Sequence, residues 1–190
     1  MSSTTKPLAL LLLLLVPASV FGDDATPPPP SRAGLHFDVE VDPTAYVLGG
    51  YSVHVGIPWK RLRLDLGAFA MDVPGFVHGN DGFDASFDGF GAKLHWFLTG
   101  EQDGAFVGLA TGRMSHRIEL EGTGLSTRRE RWNAGVELGW RFELYRGLYA
   151  TPWLGVDYTF GARDVTLAGR TFESSSWSLF PAVHVGYRFL

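Results

Sequence analysis

The amino-acid sequence predicts an all-β fold, an eight-stranded antiparallel up-and-down transmembrane β-barrel. The first observation is the stretch Trp177–Leu190, in which every odd position is apolar while the even positions include His184 and Arg188. A period of two places successive side chains on opposite faces of a strand, and a helix does not produce it. About seven more segments with this period lie between Leu35 and Phe160, separated by turn residues.

Residues 1–22 are predicted to be a secretory signal peptide. Lys6 supplies a weakly positive start, Leu8–Val16 are unbroken apolar residues, and Val20–Gly22 offers a cleavage point before Asp23. The apolar run is too short for a membrane-spanning helix. The chain contains no cysteine, so neither a lipoprotein anchor nor a disulfide framework is expected.

Residues 23–33 are predicted to be a linker in the periplasm, and residues 34–190 are predicted to be the barrel domain. The linker contains Pro27–Pro30, which favours an extended chain that cannot join a sheet. The chain has 16 Lys and Arg and 20 Asp and Glu. Without Lys6, which would be removed with the signal peptide, the net charge of the rest is about −5. No basic run stands out, so no nucleic-acid partner is predicted.

Eight segments are predicted as strands because apolar side chains alternate with small or polar ones. They are residues 35–42, 46–59, 61–70, 89–98, 105–117, 131–143, 148–160 and 177–190. The fifth segment alternates poorly, so its register, including a bulge in it, stays open. Outside the signal peptide no segment of useful length carries an apolar stripe with helical spacing.

Aromatic residues are predicted to form two girdles, one at each rim of the barrel. The even-numbered strands of an up-and-down barrel run in the same direction, so their similar ends fall at one level. One girdle consists of Trp59, Trp96, Trp140 and Tyr187. Near the opposite rim lie Trp132, Tyr158 and Trp177. Aromatic rings at both levels are typical of a protein that spans a membrane.

The links between the predicted strands alternate in length. The short links are residues 58–60, 99–103 and 145–147, and the longer ones are residues 73–84, 119–128 and 162–175. Short turns at one rim and longer loops at the other are the asymmetry of an outer-membrane barrel. Pro43-Thr44 is the exception, because this link is short where the pattern requires length.

The signal peptide, the amphipathic strands and the ending Gly186-Tyr187-Arg188-Phe189-Leu190 together resemble the small outer-membrane β-barrels of the OmpA/OmpX and OmpW-like superfamily. The resemblance covers Gly34–Leu190 and consists of a pattern, without a motif that identifies a subfamily. In that group the last strand usually ends on an aromatic residue that the barrel-assembly machinery reads. Here that residue is Phe189, and Leu190 after it is a departure from the pattern.

The resemblance implies a location and a set of partners. The barrel is expected in the outer membrane as a monomer, surrounded by outer-membrane lipid and assembled through its C-terminal strand by the barrel-assembly machinery. The N-terminal linker and the C-terminus are expected in the periplasm, and the long loops outside the cell.

The polar face of the predicted strands favours a membrane barrel over a soluble one. In a soluble lipocalin-like barrel the apolar face would point inward and line a pocket for a hydrophobic ligand. The polar face combines small with charged residues, namely Gly67, Gly91, Gly139 and Gly155 with Arg63, Asp65, Lys93, Glu137, Arg141 and Asp157. Glycines beside long charged side chains fit the inside of a narrow barrel, where they leave space.

These inward charges could line a pore or fill the barrel. An interior enclosed by about eight strands is only wide enough to be filled by side chains. Opposite charges there are expected to pair, because a desolvated charge without a partner is costly. Filling is the favoured hypothesis, and a narrow channel for small solutes is the alternative.

The histidines are a second candidate for function. His54, His95 and His184 are predicted to point inward near one end, and His36 lies on the first strand. A metal site needs several ligands that converge, often with close spacing in sequence. These histidines come from separate strands without such spacing, so no metal site is predicted and interior hydrogen bonding is expected.

A lipid-modifying enzyme is a further alternative, because such enzymes occur on eight-stranded barrels. His78, Asp81, Asp84 and Ser86 cluster around the second long loop, and Ser115-His116 lies near the third. A serine nucleophile needs a histidine within reach and a carboxylate to orient it. Barrel deacylases carry a His-x-Ser pair, and none of the histidines here is followed in that way.

The sequence therefore predicts no catalytic, cofactor-binding or metal-binding residues and no cofactor. The expected role is non-enzymatic: envelope structure, passage of very small solutes, or surface interaction through loop residues such as Phe76 and Val77. The alternatives are an enzyme acting on the acyl chains of lipid A or phospholipid, and a narrow channel.

Overall fold

The structure, a computed structural model, describes residues 36–189, so the predicted signal peptide and linker lie outside the described residues. The strands are β1 (Phe37–Val41), β2 (Tyr51–Trp59), β3 (Leu62–Val73), β4 (Phe83–Phe97), β5 (Gly104–Leu120), β6 (Leu125–Tyr145), β7 (Leu148–Thr159), β8 (Val165–Leu167), β9 (Arg170–Phe172) and β10 (Trp177–Phe189). Within residues 36–189, eight of them close a barrel in the order β1-β10-β7-β6-β5-β4-β3-β2. The predicted all-β up-and-down barrel is confirmed.

The barrel closes between its first and last strands. β1 pairs antiparallel with β10 from Phe37 opposite Phe189 to Val41 opposite Val185. The rings of Phe37 and Phe189 stack outside this seam with centroids 4.7 Å apart. Closure pairs the two strands that would otherwise be sheet edges, and unpaired edges are what a membrane barrel cannot leave in lipid.

The second strand begins later than predicted, because the first link is a helical turn. Residues 43–47, the start of which was predicted as a link and the end as strand, form α1 (Pro43–Val47), and β2 begins only at Tyr51. The Asp42 side chain accepts a hydrogen bond from the Thr44 backbone N–H at 2.9 Å, and Pro43 occupies the first helical turn. An Asp cap followed by proline is a strong helix start. The link therefore runs from residue 42 to 50, and the short exception among the long links disappears.

The strands β4, β5 and β6 are longer than predicted. β4 begins at Phe83 instead of residue 89, and most of the predicted loop 119–128 is strand, so that β5 and β6 are joined by the turn 121–124. In these extensions the two faces exchange character: the outward side carries Asp84 and Asp88, whereas Phe83 and Ile118 are buried inside. A search for a continuous outward apolar stripe stops where this exchange begins, which explains the error.

The fifth strand has a regular register. It pairs without interruption with β4, from Phe97 opposite Phe106, and with β6, from Gly104 opposite Arg141. The structure places a register shift in β6 instead, between Glu143 and Tyr145. The poor alternation of β5 arises because its inward positions are small or apolar, as at Gly108, so the two faces look alike in sequence.

The two ends of the barrel differ. One end, here the turn end, carries the tight links 60–61, 98–103 and 146–147. At the last of these, Arg146 and Gly147 both have positive φ, as a two-residue hairpin turn requires. The other end, here the loop end, carries α1, the turn 121–124, α2 (Gly75–His78) and the hairpin of β8 and β9. The alternation of short and longer links is confirmed except at the turn 121–124.

The β8–β9 hairpin, predicted as loop, packs on the long strands at the loop end. A cluster of buried apolar side chains joins them: Phe83, Ile118, Leu120, Val165 and Phe172. The rings of Phe83 and Phe172 meet edge to face with centroids 5.7 Å apart. Full burial of an apolar side chain of this size stabilises by about 1.5–3 kcal/mol, so this cluster holds the hairpin over the barrel.

The predicted aromatic girdles are confirmed on the outside of the barrel. Trp59 is 67% exposed at the turn end, where Trp96, Trp140 and Tyr187 also face outward. At the loop end the rings of Tyr158 and Trp177 meet with centroids 5.0 Å apart, and Trp132 is exposed. No helix among residues 36–189 combines the length and the apolar character needed to cross a bilayer.

Candidate functional site

The candidate site is the charged interior of the barrel. Side chains that point outward are mostly apolar and exposed, whereas those that point inward at the turn end are charged and buried. Asp38 and Arg63 both have 0% exposure, and Glu40, Asp65 and Arg141 have 1%. Soluble barrels place apolar side chains inside, so this distribution excludes the lipocalin-like alternative. The predicted assignment of the two faces is confirmed.

Arg63 stands at the centre of the network, among three carboxylates. Its Nη2 lies 2.5 Å from Asp38 Oδ1, and its Nε donates to both oxygens of that carboxylate at 3.1 Å. Its Nη1 donates to Asp65 Oδ2 at 2.8 Å, and Nη2 lies 3.3 Å from Glu40 Oε1. A guanidinium presents its donors as a planar fork, which suits it to hold carboxylates on several sides.

Arg141 is the second buried cation. Its Nη2 donates to Glu40 Oε1 at 2.6 Å, and its Nη1 lies 3.7 Å from Asp38 Oδ2. The guanidinium carbon lies 4.2 Å from the centre of the Tyr149 ring and 5.2 Å from that of Phe97. Glu40 and Asp38 of β1 thus bridge Arg63 of β3 and Arg141 of β6 across the barrel.

Three histidines complete the network, each against a carboxylate. His54 Nδ1 lies 2.7 Å from Asp65 Oδ1, and His184 Nδ1 lies 3.0 Å from Glu40 Oε2. His95 Nε2 contacts Glu137 Oε1. The predicted interior hydrogen bonding is confirmed for these three, and His36 is partly exposed just before β1. Among residues 36–189 no group of three or more potential ligands is placed to hold a metal ion.

Lys93 extends the network towards the loop end. Its Nζ donates to Glu137 Oε2 at 3.0 Å and lies 3.6 Å from the centre of the Trp153 ring. Above it, Asp157 accepts a hydrogen bond from Asn133 Nδ2 at 3.3 Å. All six predicted inward charges therefore point into the barrel. Two lie towards the loop end, and the other four join the cluster at the turn end or border it.

The buried cluster carries an excess of negative charge. In the part of the chain that the structure describes, its carboxylates are Asp38, Glu40, Asp65 and Glu137, and its permanent cations are Arg63, Lys93 and Arg141. A buried ion network is stable only when its polar groups have partners, so the contacts of the three histidines with these carboxylates support it.

Glycines on neighbouring strands make the space for these side chains. A methyl group at Gly56 would overlap Arg63 and Asp38, one at Gly67 would overlap His54, and one at Gly186 would overlap Tyr149. The predicted role of interior glycines is confirmed at Gly67, and Gly56 and Gly186 serve in the same way. The network therefore depends on the small residues as much as on the charged ones.

The loop residues that were considered for catalysis do not form a nucleophile–base pair. Ser115 Oγ accepts a hydrogen bond from Arg128 Nε at 2.5 Å, whereas His116 lies on the other face of β5, 6.3 Å from the Phe87 ring. Adjacent residues of a strand point to opposite sides, so these two side chains cannot meet.

The side chain of His78, near Asp81, makes contacts within the loops. Its Nδ1 accepts a hydrogen bond from the Asn80 backbone N–H at 3.1 Å, and its ring lies 5.3 Å from that of Phe172. Partial burial lowers the pKa of His78, and the nearby carboxylates of Asp84, Glu121 and Asp81 oppose that shift. Ser86 lies in β4 opposite Asp72 and Arg117 and accepts no hydrogen bond from His78 within the described residues.

The sequence analysis missed the most central members of the site. Asp38 and Glu40 lie in the first predicted strand, residues 35–42, but they were not included in the predicted group of inward charges. The same period of two that identified Arg63 also places them inside. Tyr149, in the seventh predicted strand, was not named as an interior residue, and its 1% exposure and contact with Arg141 show that it fills the barrel.

An apolar outer surface, two aromatic girdles and a buried ionic interior define an eight-stranded transmembrane β-barrel. No family model matches the chain, and no curated protein matches it. The predicted resemblance in fold is confirmed by solved structures. A major outer membrane protein from Thermus thermophilus shares 15% identity with a TM-score of 0.51, covering 82% of this chain and 100% of that chain.

Two further barrels are similar at lower scores. The Neisserial surface protein A has 13% identity and a TM-score of 0.46, covering 81% of this chain and 94% of its own. The N-terminal β-barrel domain of Pseudomonas aeruginosa OprF has 14% identity and a TM-score of 0.46, covering 81% of this chain and 97% of its own. At such identities a likeness concerns the fold alone.

Proposed function

We propose that this protein is a non-enzymatic, monomeric outer-membrane barrel with a structural or surface-interaction role in the cell envelope. The observation that carries the proposal is the ion network, which occupies the interior at the turn end with fully buried side chains such as Arg63, Arg141 and Tyr149. Charges that are locked to one another hold the wall strands together and do not offer sites to a passing ion. Outer-membrane lipid and, through β10, the barrel-assembly machinery are the partners of this role.

The proposal excludes conduction and acyl chemistry, and both can be measured. The refolded protein is expected to leave planar lipid bilayers silent, because no ion replaces the internal partners of Arg63 and Arg141. Overproduction in a bacterium with an outer membrane is expected to leave the acyl chains of lipid A and phospholipid unchanged in mass spectra. Stable single-channel steps would establish the channel alternative. A consistent gain or loss of one acyl chain would establish the enzyme alternative.

The proposal includes an orientation, with the loop end outside the cell and both termini in the periplasm. It is supported by the difference between the two ends, since barrels of this class have short periplasmic turns and longer external loops. A chain without cysteine allows a direct test. Phe76→Cys, at a position 76% exposed at the loop end, is expected to react with a membrane-impermeant maleimide on intact cells.

Glu101→Cys is the matched variant for orientation, because residue 101 is exposed in a link at the turn end. It is expected to react only after the outer membrane is permeabilised. The opposite pattern, with labelling of residue 101 on intact cells and protection of residue 76, would reverse the orientation.

A further inference from the structure

A notch opens at the loop end where β6 continues beyond β7. β7 ends at Thr159, opposite Asn133, and after Phe160 the chain turns away into the link that carries β8 and β9. Residues 125–131 of β6 pair with β5, and within the described residues no strand pairs with them on the other side. The notch has a volume of about 560 Å³ and is lined by Arg129, Glu130, Arg131, Phe160, Gly161 and Arg163.

The three arginines of the notch are not neutralised. Among residues 36–189, none of Arg129, Arg131 and Arg163 makes an ion pair; the one bond between them runs from Arg131 Nη2 to the Arg163 carbonyl oxygen at 3.2 Å. The Glu130 carboxylate is engaged by Arg113 on the outer face of β6. The notch is therefore positively charged, and most guanidinium N–H donors of these arginines have no acceptor within residues 36–189.

The carboxylate of Asp164, the residue next to Arg163, is engaged as well. Its Oδ1 accepts a hydrogen bond from the Ser174 backbone N–H at 2.8 Å. Within residues 36–189 neither Glu130 nor Asp164 makes an ion pair with Arg129, Arg131 or Arg163, so these guanidinium groups are open to an anion from outside the chain.

The notch lies directly above the aromatic girdle of the loop end. The Phe160 backbone N–H donates to the Trp132 carbonyl oxygen at 2.9 Å, and the Tyr158 ring lies 5.2 Å from that of Phe160. Aromatic girdles mark the boundary between hydrocarbon and headgroups, so the notch opens at headgroup level. Arg129 and Arg131 alternate with Glu130 onto the inner face of β6, and they line the notch where β7 has ended. Phe160, 54% exposed, gives the notch an apolar side as well.

We propose that Arg129, Arg131 and Arg163 form a binding site for the phosphate group of an outer-leaflet lipid, with Phe160 against its apolar part. Guanidinium forks bind phosphate oxygens through paired, charge-assisted hydrogen bonds. An exposed aromatic ring beside the arginines favours a ligand with an apolar part, such as a lipid, over a soluble inorganic anion. The proposal rests on the proposed orientation, which sets the leaflet but not the chemistry of the site.

The same end of the barrel supplies a matched control. Arg117 pairs with Glu119 and Arg128 pairs with Asp88 on the outer faces of β5 and β6. The double variants Arg129→Gln/Arg163→Gln and Arg117→Gln/Arg128→Gln therefore remove the same charge from the same region. Only the first removes arginines that have no partner. Arg131 is left in place because it ties the link to β6.

The test measures binding of purified lipid A, carrying both of its phosphates, to the full chain in detergent. We expect Arg129→Gln/Arg163→Gln to weaken binding about tenfold or more, since each lost charge-assisted hydrogen bond is worth about that factor. We expect Arg117→Gln/Arg128→Gln to change it less than about twofold. A shift in gel mobility on heating, unchanged from the parent, shows that each variant is folded.

Three outcomes would overturn the proposal. If the two double variants lose the same factor in lipid A affinity, the loss is an effect of net charge and not of this site. An unchanged affinity in Arg129→Gln/Arg163→Gln would leave the notch without this role. Inorganic phosphate that binds the parent as tightly as lipid A, and is lost in the same variant, would make the site one for soluble anions. Because binding in detergent does not depend on orientation, these outcomes are independent of the cysteine labelling.

Discussion

Replacing Arg63 by methionine is expected to destabilise the barrel by about 3–5 kcal/mol. The variant keeps a long apolar stem but removes the cation that stands among Asp38, Glu40 and Asp65. Three buried carboxylates would then share Arg141 and the histidines, and uncompensated buried charge is among the costliest changes that a protein can undergo. The measurement is equilibrium unfolding in urea of the protein refolded into lipid vesicles.

Arg61→Met is the matched control for this variant, because Arg61 is exposed in the turn two residues before Arg63. The same substitution there is expected to change the free energy of unfolding by less than about 0.5 kcal/mol. A deficit equal to that of Arg61→Met would mean that the network contributes nothing to stability.

The architecture was predictable because it depends on local alternation. In a strand with one apolar and one polar face, the residues of that strand alone indicate which side contacts lipid. The strands and both aromatic girdles could therefore be predicted from the alternation of apolar and polar residues. The helical turn α1 was missed although Asp42-Pro43 is a helix start, because the alternation of β2, which begins at Tyr51, was extended back to Tyr46. The ends of β4, β5 and β6 were missed because their apolar face changes side beyond the girdle.

The interior network could be predicted as a set of charges but not as a set of pairs. Arg141 and Glu40 are 101 positions apart, and His184 and Glu40 are 144 apart. Which side chains meet depends on the register of several strands at once, and shifting one strand by a single residue would turn its charges outward. The notch arginines were not singled out, because they form a site only where β7 ends earlier than β6.

The interior also makes a prediction about conduction. Arg141 and Tyr149 are stacked on one another with 1% exposure each, and they occupy the barrel between β1 and β6. Shortening both, in Arg141→Ala/Tyr149→Ala, removes two of the largest buried side chains while Glu40 and Asp38 stay behind as an anionic lining. We expect this variant to show cation-selective steps in planar bilayers where the parent is silent, because water can hydrate the space that the two side chains leave.

The same two residue types provide the control at the outer surface. Arg146 lies 5.2 Å above the Tyr145 ring at the turn end, where Tyr145 is 64% exposed. Arg146→Ala/Tyr145→Ala removes equal side-chain volume without touching the interior and is expected to stay silent. Heat-dependent gel mobility separates a folded, silent barrel from an unfolded one. If the folded Arg141→Ala/Tyr149→Ala variant is as silent as its control, the seal does not depend on these side chains, and the apolar cluster beneath the β8–β9 hairpin becomes the barrier to conduction.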